Sequence, residues 1–290
     1  MSLQLNGHTT LLGFFADPAA HSKSPLMYNT AFEKLGINSV YLAFQIDQKH
    51  LKDAVSSMRT LKMRGANVSM PNKNAVIQYL DVLSPEARLC GAVNTIVNDN
   101  GILTGHNTDG KGAILALQSK GQNISEKKLV ILGAGGAGAA ILTQAALDGA
   151  SEISVFVREK SLSKTMDLIG NIKKETPCSI SLFPVEHLSV LKQELETAHI
   201  LINATSVGME HSEKSRSLIP DETYFHKDLF VMDIIYSPAQ TVLLQMADHF
   251  GCRTMNGLGM LLYQGAAAFK LYTGEELPLE DVKKAWGISF

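Results

Sequence analysis

Cysteine is scarce. Cys90, Cys178 and Cys252 are the only three among 290 residues. They lie far apart, with no CxxC pair, which argues against a disulfide framework and against a zinc site of paired thiols. They read as core or surface thiols in a reducing compartment. Charge of one sign is missing as well. Lys and Arg number 26 against 28 Asp and Glu, a net charge of −2, and no block of like charge offers a footprint for nucleic acid or an anionic membrane. The nine histidines, His21 and His106 among them, never fall at i,i+4, so no metal is implied. The N-terminal stretch "MSLQLNGHTTLLGFFAD" has no basic region ahead of an apolar core and no small-residue cleavage site, so a signal peptide is not expected. The most apolar window, "LVILGAGGAGAAILTQAALDGA" from Leu129, is broken by five glycines and carries Gln144 and Asp148. A strand, turn and helix account for it better than a membrane span. Repeats, low-complexity segments and long linkers are absent too. A cytoplasmic globular protein whose partner is a small molecule is what these absences leave.

What is present is an alternation of strand and helix long enough for two domains, with 45% hydrophobic residues to bury. "TLLGFFA" reads as a strand and "SPLMYNTAFEKLG" as a helix, with Ser24 at the N-cap, Pro25 in the first turn and Gly36 as the stop. "SVYLAFQI" is the next strand. "HLKDAVSSMRTLKMRG" places Leu51, Val55, Met58 and Leu61 at helical spacing. After the strand "ANVSM" a helix is expected from about Lys73 to Leu83, then a short one opened by Ser84 and Pro85. "AVNTIVNDNGILTG" reads as a hairpin turning at Asp99-Asn100-Gly101. From Lys128 the alternation restarts as strand, helix, strand, helix and further strands, the pattern of a doubly wound parallel sheet. The expected fold is α/β. Residues 1–110, with helices returning at 257–290, form a βα domain with a mostly parallel sheet, and residues 111–256 form a Rossmann-type dinucleotide-binding domain. A cleft between the two is the expected ligand site.

Three constellations carry chemistry. In "VILGAGGAGAA" a strand feeds Gly133-x-Gly135-x-x-Gly138 and then a helix, so backbone N–H groups can meet a pyrophosphate with no Cβ in the way. A glycine-rich turn without ligand and the related turn of adenosyl-cofactor methyltransferases are the alternatives. In "GANVSMPNK" a lysine, Lys73, follows a strand halted at Pro71. An ammonium there loses hydration and can exchange a proton, with Asp109 of "GHNTDG" as a candidate carboxylate partner. The competing reading is that Lys73 starts a surface helix and Asp109 caps another. Ser22 and Ser24 of "HSKSP" and Asn94 of "GAVNT" could present hydroxyls and an amide to a polyol, or serve only as a local turn, a cap and a hairpin residue.

Taken together in order, "HSKSPLMYN", "GANVSMPNK", "GAVNT", "GHNTDG", "LGAGGAG", "INATSVGM" and "NGLGMLLYQGA" resemble the shikimate dehydrogenases, and within them the branch that includes quinate/shikimate dehydrogenases. The resemblance spans nearly the whole chain. It implies reversible reduction of the C3 carbonyl of 3-dehydroshikimate to shikimate with NADP or NAD, in aromatic amino acid biosynthesis, by a monomer or homodimer. It implies Lys73 and Asp109 as the catalytic pair and Ser22 and Ser24 on the substrate carboxylate. Ser69, Asn94, Asp109 and Gln264 would take the ring hydroxyls, and Tyr236 would approach the substrate. For the cofactor it implies Gly133, Ala134, Gly135, Gly136, Ala137, Arg158, Glu159, Thr205, Ile234 and Gly257. Two departures stand out. Ser69 and Asn72 replace the more frequent threonine and histidine, as in the quinate-accepting branch, which leaves open whether quinate is turned over beside shikimate. After the second Rossmann strand, Val157-Arg158-Glu159-Lys160 replaces the Asn-Arg-Thr of NADP users. A reductase of another cyclic polyol, or a non-catalytic sensor of a nucleotide or shikimate-like ligand, remain the alternatives, and an intact Lys73 and Asp109 argue against the sensor.

Overall fold

The computed structural model describes residues 5–210 and 216–288; the first four residues of the N-terminal stretch and the last two of the returning segment lie outside these ranges. Among the described residues no helix is long and apolar enough to cross a membrane. The three cysteines are free thiols. The chain divides into two compact units, Met1–Thr108 with Gln264–Phe290, and Asp109–Tyr263.

The first unit is built on a six-stranded sheet of order β2-β1-β3-β5-β6-β4. Its strands are β1 (Thr10–Ala16), β2 (Ser39–Gln45), β3 (Gly65–Val68), β4 (Val82–Leu83), β5 (Thr95–Asp99) and β6 (Ile102–His106). β1 pairs parallel to β2 and β3, while β5 runs antiparallel to both β3 and β6. The β5–β6 hairpin turns on Asn100 and Gly101, with φ of 54° and 95°. Two consecutive left-handed residues match the strand twist, which is why Asn-Gly suits this position. Helices α1 (Ser24–Leu35), α2 (Leu51–Thr60) and α3 (Pro85–Cys90) connect the strands.

Two local expectations change. Ser24 is the first helical residue rather than the N-cap, which is Lys23 with no side-chain cap bond. The Ser22 hydroxyl instead accepts from the Ser24 N–H at 3.2 Å, closing a tight turn before the helix. The helix expected from Lys73 to Leu83 is a single 3₁₀ turn, Ala75–Tyr79, after which Leu80 is extended and β4 pairs parallel to β6. The N–H groups of Asp81 and Ser84 donate to the carbonyls of Leu103 and Gly105. These edge-strand bonds outweigh the weak propensity of a short helix.

The unit's interior gathers Tyr28, Tyr41 and Phe269, with Tyr28 and Tyr41 ring centres 4.4 Å apart. Helix α10 (Leu279–Trp286) packs on α1, and the Lys23 ammonium lies 5.7 Å from the centre of the Trp286 ring.

The second unit holds a six-stranded parallel sheet of order β12-β11-β10-β7-β8-β9. Its strands are β7 (Lys128–Leu132), β8 (Glu152–Val157), β9 (Ser179–Pro184), β10 (Ile200–Asn203), β11 (Phe230–Asp233) and β12 (Arg253–Met255). Helices α4 (Asp109–Ser119), α5 (Gly136–Leu147), α6 (Leu162–Glu175), α7 (Leu188–Leu195) and α8 (Val242–Phe250) cover it. α7 and β12 are additions to the sequence reading. Both are short, and α7 shows its buried face only through Leu191 and Leu195.

The chain passes into this unit at Asp109 because α4 packs directly on α5. A Cβ on Gly110 would stand 2.3 Å from the Ala140 carbonyl oxygen, so only glycine allows the approach. It leaves within α9 (Leu258–Thr273), between Tyr263 and Gln264. Strand order reverses between β7 and β10, which in such sheets is where ligands bind, beyond the carboxyl ends of the strands.

Candidate functional site

At one end of the first sheet the strands deliver most of the polar residues singled out in the sequence. Ser22 and Ser24 follow β1, Ser69 and Lys73 follow β3, Asn94 precedes the antiparallel β5, and Thr108 follows β6. The register carries this: Asn67 of β3 lies opposite Thr95 of β5, and the Val68 N–H donates to the Asn94 carbonyl at 2.8 Å.

Asn94 is 3% exposed and is the hub. Its Oδ1 accepts from the Thr108 N–H at 2.8 Å, the Thr108 hydroxyl at 3.1 Å and the Thr95 hydroxyl at 2.9 Å. Its Nδ2 reaches the Thr108 hydroxyl at 3.0 Å and the Gln264 Oε1 at 3.5 Å. Gln264 comes from α9, distant in sequence, yet meets the same side chain. The residue after Thr108 is Asp109, 7% exposed at the start of α4, so the Asn94–Thr108 bonds hold the backbone immediately before that carboxylate.

A second layer, not singled out in the sequence, lies behind Asn94. Asn67 donates through Nδ2 to the Asn94 carbonyl at 3.2 Å and to the Thr95 hydroxyl at 3.0 Å, and accepts from the Tyr41 hydroxyl at 2.8 Å. Burial holds the Tyr28, Tyr41 and Tyr272 hydroxyls well above the usual phenol range, so they stay neutral. The available signal was a lone asparagine inside the strand "GANV", which is buried at all four positions; a buried amide must be paired, and in mid-strand it can pair only sideways.

The lysine loop is tied down on several sides. The Ser69 N–H donates to the Phe15 carbonyl at 3.0 Å, and the Met70 carbonyl accepts from the Asp17 N–H at 3.1 Å. The side chains of Gln48 and Asn72 donate to the carbonyls of Pro71 and Ile46 at 2.9 and 2.7 Å. The Lys73 carbonyl accepts from the Val93 N–H at 2.9 Å. Lys73 is half-buried, held by its backbone rather than carried on a helix.

In the second unit the glycine turn joins β7 to α5, beside the switch point between β7 and β10. Gly133 has φ of 92°, and a Cβ there would lie 2.7 Å from Thr205 Cγ2. A Cβ on Gly138 would lie 2.2 Å from the Gly133 carbonyl oxygen. Those two glycines permit the turn. Gly135 and Gly136 differ, since a Cβ at either meets nothing within 4 Å. Both are exposed, and no side chain caps the first N–H groups of α5. Open space in front of unpaired amides at a helix N-terminus suits a pyrophosphate.

Thr205 packs against this turn. Ile234 and Gly257 meet at the same sheet edge, where a Cβ on Gly257 would fall 1.9 Å from the Ile234 carbonyl oxygen. Arg158, Glu159 and Lys160 follow β8 and are all exposed. Tyr236 lies beyond β11, 49% exposed.

A parallel six-stranded sheet with an open glycine turn at its switch point defines a dinucleotide-binding protein. The comparisons narrow this. Residues 14–96 match the model of the shikimate dehydrogenase substrate binding domain, and residues 257–285 that of the shikimate 5'-dehydrogenase C-terminal domain. The NADP(+) shikimate dehydrogenase of Listeria monocytogenes is 47% identical over 282 residues, 97% of each chain. The crystal structure of a Listeria monocytogenes shikimate 5-dehydrogenase in complex with shikimate and NAD superimposes with a TM-score of 0.95 at 46% identity, covering 99% of both chains. A ligand-free 5-ketofructose reductase of Gluconobacter gives a TM-score of 0.85 at 31% identity over 97% of this chain and 99% of its own. The chain belongs to the shikimate dehydrogenase family.

Proposed function

We propose that the chain catalyses the reversible, nicotinamide-dependent interconversion of 3-dehydroshikimate and shikimate, the step that serves aromatic amino acid biosynthesis. The observation that carries this reading is the Asn94 hub. It is a buried amide that gathers Thr95, Thr108 and Gln264 at the sheet end where Ser22, Ser24, Ser69 and Lys73 also emerge. Such an end suits a small, hydroxyl-rich acid. Ser22 and Ser24 take its carboxylate, and Ser69, Asn94 and Gln264 its hydroxyls. Tyr236 approaches the ring.

NADP or NAD, held by residues 133–137 with Thr205, Ile234 and Gly257, supplies or accepts the hydride. Lys73 gives the proton to the carbonyl oxygen as it becomes a hydroxyl, and recovers it in the reverse direction. Asp109 completes the acid–base pair and accepts a hydrogen bond from a ring hydroxyl. Free thiols, with Cys178 and Cys252 buried, suit a reducing cytoplasm.

Absorbance at the nicotinamide band, with shikimate and then quinate as substrate, tests the assignment. Reduction of NADP+ or NAD+ by shikimate supports it, and turnover of neither substrate overturns it. Quinate turnover, favoured by Ser69 and Asn72, would place the chain in the branch with wider substrate range. A second reading, reduction of another ketone to its polyol, rests on the Gluconobacter 5-ketofructose reductase and would show as oxidation of NADPH or NADH by a ketose where shikimate gives no reduction of NADP+ or NAD+.

Asp109→Asn is expected to keep dinucleotide binding and to lower both kcat and shikimate affinity, because an amide offers one acceptor where the carboxylate offers two, and carries no charge. Steady-state kinetics beside a dinucleotide titration check this; kcat and shikimate KM both within about threefold of wild type would remove Asp109 from the site.

Discrimination between the two dinucleotides is expected to be weak. An acidic residue about 20 positions beyond the last glycine of the turn accepts from the ribose 2′-OH and repels a 2′-phosphate, whereas arginine attracts the phosphate. Glu159 stands between Arg158 and Lys160, all exposed. One exposed contact of this kind shifts binding by only about 1 kcal/mol, so the opposing contacts nearly cancel. The measurement is kcat/KM for both dinucleotides in the wild type and Glu159→Ala; an NADP preference beyond about a hundredfold that the substitution leaves unchanged would show that Glu159 does not face the ribose.

A further inference from the structure

Asp233 has no part in the roles above, yet it ends β11 beside the switch point and is fully buried. Across the parallel pair its register partner is Asn203, the last residue of β10. The carboxylate accepts on both oxygens. Oδ1 takes the Asn203 Nδ2 at 3.1 Å and the Ile235 N–H at 3.1 Å, and Oδ2 takes the Thr241 hydroxyl at 2.7 Å. Burial raises its pKa from the usual carboxylate value, against these three hydrogen bonds, which lower it.

The bond from Asn203 decides which way that amide faces. With its Nδ2 donating to Asp233 and to the Val207 carbonyl at 3.2 Å, its Oδ1 is turned toward Thr205. There it accepts from the Thr205 N–H at 3.1 Å and the Thr205 hydroxyl at 2.7 Å. The Thr205 hydroxyl oxygen in turn accepts from the Val207 N–H at 3.2 Å, closing the turn. That turn is the one packed against Gly133. The same Oδ1 also accepts from the Ile235 N–H, fixing the segment whose Ile234 carbonyl backs onto Gly257. A reversed Asn203 amide would face the carboxylate with its oxygen, which a buried acceptor pair does not tolerate.

We propose that Asp233 is a positioning residue for dinucleotide binding, acting through the Asn203 amide to hold the Thr205 turn against the glycine turn. The inference rests on the reading of Thr205 and the glycine turn as dinucleotide contacts. Its hydrogen-bonding partners are neutral donors, so the carboxylate serves here as a double acceptor. It binds nothing itself. It sets the orientation of two loops that do.

The test titrates NADP+ and NAD+ by calorimetry and measures kinetics on the full chain, in Asp233→Ala, Asp233→Asn, Thr205→Ala and the Thr205→Ala/Asp233→Ala double variant. Asp233→Ala is expected to raise the dinucleotide Kd and KM about tenfold, with kcat at saturating dinucleotide and shikimate KM within about threefold, and Asp233→Asn to recover part of the loss. The double variant should lose less than the sum of the two single losses, because both changes break the Asn203–Thr205 relay. An Asp233→Ala protein with a lowered Tm but wild-type Kd overturns the proposal, as does a double variant showing the full sum of both losses. If the alanine variant does not fold, Asp233→Asn decides: a Kd raised about threefold supports the relay and an unchanged Kd overturns it. Wild type that binds neither dinucleotide, or Thr205→Ala that binds as wild type, would instead mean that the dinucleotide site itself is misplaced.

Discussion

Lys73→Ala is expected to fold as the wild type does and to lose about two decades of kcat or more, the usual contribution of a positioned acid–base group. Folding should survive because the loop is held through its backbone and its neighbours. The Lys73 carbonyl accepts from Val93, and Asn72 and Gln48 anchor the preceding residues; none of these bonds needs the lysine side chain. The loss should fall on kcat rather than on dinucleotide affinity, since Lys73 lies in the first compact unit and the glycine turn in the second. Circular dichroism, a dinucleotide titration and steady-state kinetics in both directions are the measurements. A variant that keeps more than about a third of wild-type kcat would take Lys73 out of the mechanism.

Gly135→Val should abolish dinucleotide binding in a folded protein that still binds shikimate. Gly135 has φ of −68° and ψ of −166°, an extended conformation that valine adopts without strain, and a Cβ there meets nothing within 4 Å. The space it would fill is the space in front of the α5 amides, where a pyrophosphate has to approach the backbone. At Gly133 or Gly138 the same change would damage the turn itself, because the added carbon would meet Thr205 or the Gly133 carbonyl. Position 135 therefore separates binding from folding. Wild-type affinity for NADP+ and NAD+ in this variant would show that the turn faces no dinucleotide.

The contrast between these glycines marks where sequence reading stops. Gly133-x-Gly135-x-x-Gly138 between an apolar strand and an apolar helix was legible, because hydrophobic period and turn chemistry are local. Which glycine carries the positive φ was not, since that depends on the Thr205 turn packed against Gly133 from another strand. The lysine after Pro71 was legible as a strand end. The helix expected to follow it was not realised, because the hydrogen bonds that β6 offers to residues 81–84 come from a hairpin downstream. Likewise Ser22, Ser24, Asn94 and Gln264 could be named from motifs, while the Asn67 layer and the Asp233–Asn203 pair became visible only once sheet register set them side by side. Pairing of buried polar groups is a property of neighbours in space, and sequence order carries little of it.

The Lys23 ammonium over the Trp286 ring has a practical consequence. Trp286 is the only indole in the chain, and the lysine 5.7 Å from its ring centre sits between Ser22 and Ser24. Tryptophan emission from this protein therefore originates at a single place, beside the residues assigned to the substrate carboxylate. Any ligand that shifts this turn alters the electric field at the ring, and with it the colour and yield of the emitted light. A ligand that moved Lys23 would then be readable in that emission, without a label and independent of turnover.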